Sequence, residues 1–265
     1  MPPLFPVTLA LYAVACTLYL AHLWVENTPV GSLQSGARIA LGLAFASHAV
    51  DIGWLCLHGM HPVVNAREAL SFVSWLMCGA FLLISFRLQV SIVGALVVPA
   101  TMVLYVAARL SPSQEALHGS SLLGNIHVTL ATAGVAIFAV AAGAAIIYLI
   151  EERNLKAHRP GRLSKHGSAL MTLDTLNRRC ILLGFPLFTV AMVTGALWAV
   201  RSHTTGLFSA QYAIATATWI LYAGLLVARQ TVGFRGRKAA LVTLLGFATA
   251  MIVLLIYFAR GVSGA

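Results

Sequence analysis

Residues 121–150 read SLLGNIHVTLATAGVAIFAVAAGAAIIYLI, thirty positions without one Asp, Glu, Lys or Arg. Crossing the hydrocarbon core takes about 20 predominantly apolar residues in a helix, so this run predicts a transmembrane helix with length to spare. Its Gly134, Ala141, Ala142, Gly143, Ala144 and Ala145 are small residues of the kind that let helices approach closely in lipid. The same criterion applied outward finds 4–24, 37–57, 69–86, 88–109, 180–200, 210–229 and 239–259. The expected fold is therefore all-α, a polytopic integral membrane helical bundle of about eight transmembrane helices in a single membrane domain over residues 1–265. Spans 69–86 and 88–109 are separated only by Arg87 and its neighbours, so one long bent helix competes there. The first span has neither a basic leading region nor a small-residue cleavage site, and is expected to be retained rather than cleaved as a signal peptide.

Composition leads to the same class. Hydrophobic residues make up 60% of the chain and charged ones 9%, and the mean hydropathy is +0.89. A soluble domain is roughly 45–50% apolar and about 25% charged, and has no means of hiding this much apolar surface. Cys16, Cys56, Cys78 and Cys180 are scattered, form no CxxC pair and fall in or at the ends of apolar runs, as small core residues do.

The excess of Lys and Arg, +10 overall, has to be tested against membrane topology first. One set of alternate loops, with flanks, holds thirteen: Arg38, Arg87, Arg153, Lys156, Arg159, Arg162, Lys165, Arg178, Arg179, Arg229, Arg235, Arg237 and Lys238. The other set holds four: Arg67, Arg109, Arg201 and Arg260. The positive-inside rule then places both termini outside and the basic loop 151–179 in the cytoplasm. The charge is a topology signal, with anionic lipid headgroups as a secondary partner, and nucleic acid is not required as one. Within that loop, Leu170, Leu173 and Leu176 recur every third residue over 168–179, which predicts an amphipathic lead-in to the sixth span.

Polar groups at membrane depth are costly and so are the first functional candidates. One acid lies inside a span, Asp51, three residues after His48 and so on the same helical face. A carboxylate beside an imidazole fixes the tautomer of a metal-ligating histidine; the bland alternative is a neutral pair bracing the bundle. The orientation above gathers six of the nine histidines toward the outer half. His58, His61, His118 and His203 fall in outer loops, His127 just inside the fifth span and His48 deeper in the second, while His22, His158 and His166 fall on the inner side. At 1.5 Å per residue, His127 and His48 lie roughly 9 and 13 Å below the outer ends of their helices, depths compatible with gripping one planar cofactor from two sides. Zinc is less favoured, because no helix carries HxxxH or HExxH, although His58 and His61 could supply half of a metal site. With no cysteine pair, paired carboxylates, phosphate loop or nucleophile elbow, covalent catalysis by the chain is not expected.

Several separated segments together resemble the cytochrome c assembly, or haem-handling, family that includes CcsA-type and HemX-type proteins, and especially its shorter YpjD-type branch. They begin with His48, the run His61-Pro62-Val63-Val64-Asn65-Ala66-Arg67-Glu68-Ala69-Leu70 leading to Trp75, and Ile126-His127-Val128. They continue with Tyr148-Leu149 and Glu151 or Glu152, then Leu155-Lys156, Leu173-Asp174 with Arg178 or Arg179, and Gly184-Phe185-Pro186-Leu187-Phe188-Thr189. Gly195-Ala196-Leu197-Trp198-Ala199, Trp219-Ile220-Leu221-Tyr222 and residues 233–240 complete the pattern. The resemblance implies a haem ligand at His127 on the outer side and a haem-binding histidine within the membrane at His48. The expected cofactor is haem b, and Asp51, Asn65, Glu68 and His203 are the supporting candidates.

The departures carry information too. Where CcsA-type members have a tryptophan-rich segment that presents haem, residues 201–211 read RSHTTGLFSAQ. Their Leu-His-x-Arg is replaced by Leu226-Val227-Ala228-Arg229, and the last outer histidine of the family has no counterpart before the final Gly-Val-Ser-Gly-Ala. Two of four family histidine positions survive. The resemblance therefore implies a multi-pass protein of the bacterial inner (plasma) membrane that binds or handles haem in cytochrome c biogenesis, accessory to a ligase rather than a complete one. Its expected partners are the lipid bilayer, haem and other cytochrome c biogenesis proteins. Two alternatives stand beside this. One is a HemX-like regulator contacting a haem-biosynthetic enzyme through loop 151–179. The other is a small proton-coupled transporter relaying through Asp51 and His48, which lacks the broken-helix, inverted-repeat pattern common in such proteins.

Overall fold

The computed structural model describes residues 3–24, 30–63, 65–86, 91–111, 121–158, 169–201 and 210–263. Among these, eight α-helices and no strand occur. They are α1 (Phe5–Trp24), α2 (Val30–Leu57), α3 (Ala66–Ser85), α4 (Ser91–Leu110), α5 (Leu122–Lys156), α6 (Ala169–Arg201), α7 (Ala210–Thr231) and α8 (Arg237–Ser263). Seven of them contain stretches long and apolar enough to cross a membrane, and Phe5–Ala21 in α1 is a shorter apolar helix. The chain is thus a polytopic helical membrane bundle.

The question left at Arg87 is decided by packing. Arg87 lies outside the described residues, but α3 and α4 on either side of it are separate helices lying antiparallel. The Ser74 hydroxyl donates to the Thr101 carbonyl at 3.0 Å, and Arg109 near the end of α4 donates to Ser71 near the start of α3. A single bent helix would carry these residues apart. Eight separate helices are thus kept among the described residues.

The helices gather into two compact units, Met1–Gly119 and Ser120–Ala265. In the first, α1 packs on α2 and α4, and α3 on α2 and α4, which closes a four-helix ring of alternating direction. Tyr12, Leu41, His48, Phe81 and Tyr105 are fully buried inside it. In the second, α5 packs on α6 and α8, and α7 on α6 and α8, an equivalent antiparallel ring. Phe138 of α5 stacks on Tyr222 of α7 through its centre, with ring centroids 4.1 Å apart.

The small residues of α5 serve close approach, as their composition predicts: Gly134, Ala141, Ala142, Gly143, Ala144 and Ala145 are all buried. A Cβ on Gly184 of α6 would stand 2.7 Å from the Phe138 ring, so only glycine admits that crossing. The amphipathic stretch after the basic loop is not a separate interfacial element. It is the first three turns of α6, and Leu173 and Leu176 are buried in the bundle rather than laid on lipid. Positions 159–168 of that loop lie outside the described residues.

Candidate functional site

In the first unit the polar groups converge at one end of the ring, the end where α1 and α3 begin and α2 and α4 finish. Asn65 starts the construction. Its side chain accepts from the Glu68 N–H at 2.8 Å, capping α3, and so sets the register in which Glu68 points at α4. There Glu68 Oε1 meets Arg109 Nη1 at 3.4 Å, with side chains only 10% and 5% exposed. Arg109 Nη2 donates to Ser71 Oγ at 3.1 Å, and Ser71 Oγ lies 3.0 Å from His48 Nε2. On the far side of the ring, His48 Nδ1 is 3.1 Å from the Tyr12 hydroxyl. His48 is fully buried.

Asp51 belongs to the same end but not to the same chain of bonds. Its Oδ1 accepts from the Leu4 N–H at 2.9 Å, and its Oδ2 from Tyr105 at 3.3 Å and Thr8 at 3.5 Å. The carboxylate thus ties α1 and α4 to α2 instead of orienting the imidazole one turn away. The two groups meet through Tyr105, whose ring lies 4.4 Å from that of His48. Among the expected residues, His48, Asp51, Asn65 and Glu68 are therefore assembled at one place. Tyr12, Ser71, Tyr105 and Arg109 complete it and were not singled out by sequence. A guanidinium on the sparsely charged outer side, at the edge of an apolar span, was the available signal for Arg109.

In the second unit, His127 sits two turns into α5 against α6. Its Nδ1 is 2.7 Å from the Ala191 carbonyl. A carbonyl only accepts, so the proton of the neutral ring is on Nδ1 and Nε2 keeps its lone pair. No side chain or backbone group among the described residues bonds to Nε2. The ring occupies the space above Gly195, where a Cβ would stand 2.6 Å from Cε1, and Trp198 stacks alongside at 6.3 Å. A backbone-anchored imidazole with an open Nε2 is the donor arrangement that axial ligation of an iron requires. The cradle comes from Ala191, Gly195 and Trp198, one turn apart on α6.

The two histidines therefore differ in readiness. His127 fits a haem ligand as it stands, whereas His48 fits only after the Ser71 hydroxyl leaves Nε2. They belong to different units. His203 and His118 lie outside the described residues. His58 and His61 are engaged by their own turn, His58 Nδ1 with the Trp54 carbonyl at 2.8 Å and His61 Nδ1 with the Val63 N–H at 3.4 Å. No group of three or more His, Cys, Asp or Glu arranged for a metal ion occurs among the described residues.

At the opposite end of the second unit a buried ion pair joins α6 to α7. Arg229 Nη2 donates to Asp174 Oδ1 at 3.1 Å and to Asn177 Oδ1 at 2.7 Å. Asn177 in turn donates to the Ala141 carbonyl and bonds to Thr243, so four helices meet there.

Residues 42–262 match the model of the Cytochrome C assembly protein family. The Cytochrome c biogenesis protein CcsA of Chlamydomonas reinhardtii is 30% identical over 202 residues, 71% of this chain and 56% of that protein. That of Mesostigma viride is 26% identical over 239 residues, 78% of each chain, and that of Trieres chinensis 26% over 276 residues, 88% of this chain and 86% of that protein. The chain thus spans little more than half of the Chlamydomonas protein, and rather more of the other two. The matched region takes in His48, His127 and every helix from α3 onward, and on that match this membrane chain belongs to the cytochrome c assembly protein family.

Proposed function

We propose that this protein binds haem b and serves cytochrome c biogenesis in a bacterial inner membrane, as an accessory haem handler rather than a complete ligase. The observation that carries the proposal is the state of His127, with Nδ1 spent on a backbone carbonyl and Nε2 open. The CcsA relatives support the biogenesis role through their names. The accessory role rests on sequence: residues 201–211 do not contain the tryptophan-rich haem-presenting segment, and Val227 stands where a family histidine would.

Bound haem supplies a redox-active iron and the prosthetic group that a c-type cytochrome needs. The chain's own part would be to hold the His127 Nε2 nitrogen in place for the iron. The Ala191 carbonyl fixes the orientation and tautomer of His127, and Gly195 leaves room for the ring. His48 is a separate haem-binding candidate within the first unit, available once Ser71 rotates off Nε2. Other cytochrome c biogenesis proteins are the expected partners.

Purified protein titrated with haem tests the reading. A Soret band that is strongly reduced in His127→Ala, and altered in position or lost in His48→Ala, is the expected result. No Soret shift on adding haem to the wild-type protein, or identical spectra in all three, would sink it. The biogenesis role is tested apart from this by the level of c-type cytochromes in cells lacking the protein; an unchanged level would refute it.

A further inference from the structure

We propose that Arg109, acting through the Ser71 hydroxyl, is a positioning residue that sets the tautomer of His48 and makes Nε2 the nitrogen with the lone pair. The proposal deepens the role given to His48 above and depends on it only for its functional consequence.

Donor direction along this chain of bonds decides the tautomer. A guanidinium has donors and no acceptor. Arg109 Nη2 donates to Ser71 Oγ, so that oxygen accepts and its own proton has to go elsewhere. The other side-chain partner of Ser71 is His48 Nε2, at 3.0 Å. The proton accordingly points at Nε2, which must be unprotonated to receive it. In the neutral ring Nδ1 then carries the hydrogen and donates to the Tyr12 oxygen. Every bond in the chain runs the same way, from the fixed cation inward.

The opposite direction fails at Ser71. With Nε2 protonated, the serine oxygen would receive two donors and its own hydrogen would have no acceptor, at a residue 1% exposed. Arg109 is itself held in place. Glu68 pairs with Nη1, and the guanidinium lies over the Tyr105 ring at 5.8 Å, the ring that also packs on His48.

The consequence is that both histidines offer the same atom. His127 has Nε2 open because a carbonyl takes Nδ1–H; His48 has Nε2 unprotonated because Arg109 imposes it from the other side. The Ser71 hydroxyl holds the place of a ligand at Nε2. Were a metal centre held at Nε2, the Ser71 hydroxyl would rotate aside and the ring would have no proton to lose.

The experiment is nitrogen NMR on the full-length protein, labelled with [15N]histidine and reconstituted in lipid bilayers, the His48 signals being assigned by their loss in His48→Gln. The expected wild-type pattern is a pyridine-type Nε2 and a pyrrole-type Nδ1. In Arg109→Gln, whose amide both donates and accepts, and in Ser71→Ala, the two signals should move toward each other or exchange. Arg109→Lys, a donor only, should keep the wild-type pattern. A protonated Nε2 in the wild-type protein, or an unchanged pattern in both Arg109→Gln and Ser71→Ala, overturns the assignment. Should Arg109→Gln not fold, Ser71→Ala, which deletes a single oxygen, carries the test. Haem titration of the same samples separates the two ideas. Wild-type protein that shows the predicted tautomer but takes up no haem refutes the haem reading and leaves Arg109 in its role.

Discussion

At the scale of single residues the sharpest constraint falls on Gly195. Its missing Cβ is where the His127 imidazole lies, 2.6 Å from Cε1. Gly195→Ala would force the ring off the Ala191 carbonyl or push α6 away from α5. Overpacking of this kind costs about 1–3 kcal/mol, which a folded bundle tolerates and a positioned ligand does not. The expected outcome is a helical protein with a modestly lower Tm and haem affinity reduced at least tenfold, read by circular dichroism and haem titration. An affinity equal to wild type would show that the ring's seat is unimportant. His127 itself was legible as a candidate, because a histidine inside an apolar run stands out. Its partner was not, because a backbone carbonyl 64 residues away leaves no mark on composition or spacing.

Among the elements, α6 near its start and α7 near its end are held together by the Asp174–Arg229 pair. The arginine side chain is 2% exposed and the aspartate 20%. Removing one member of a buried pair strands the other charge, a loss of about 3–5 kcal/mol when both are fully buried. Because Asp174 retains some exposure, Arg229→Met should cost about 2–3 kcal/mol, toward and below the lower end of that range. Thermal unfolding in detergent measures it, and the double variant Asp174→Leu/Arg229→Met should recover part of the loss. A single variant as stable as wild type would show that the pair contributes little. The leucine spacing at 170, 173 and 176 was legible as amphipathic. Its partner was ambiguous, since lipid headgroups and a neighbouring helix ask for the same pattern; contact with the bundle, not the period, resolves the choice.

For the whole molecule, the orientation rests on thirteen cations against four, and Cys56 reports on it. It is exposed near the outer end of α2, whereas Cys78 and Cys180 are buried. A membrane-impermeant maleimide applied to intact cells should label Cys56, with labelling lost in Cys56→Ser. Labelling that needs permeabilised cells would invert the topology, and with it the outer placement of the polar network around His48.

Fold class and helix number were legible in one-dimensional quantities, and the expected sidedness rests on another. Apolar run length is set by bilayer thickness and loop charge by the insertion rule, and neither needs to know which helix touches which. The division into two four-helix rings, and the convergence of Asn65, Glu68, Ser71, Tyr12, Tyr105 and Arg109 around His48, came only with the tertiary structure. Such contacts join residues 23 and 36 positions apart, and hydrogen-bond partners across helices are chosen by packing angle and register. The same separation explains Asp51. Its spacing from His48 pointed to a bonded pair, while the actual partners on α1 and α4 are 43 to 54 residues away.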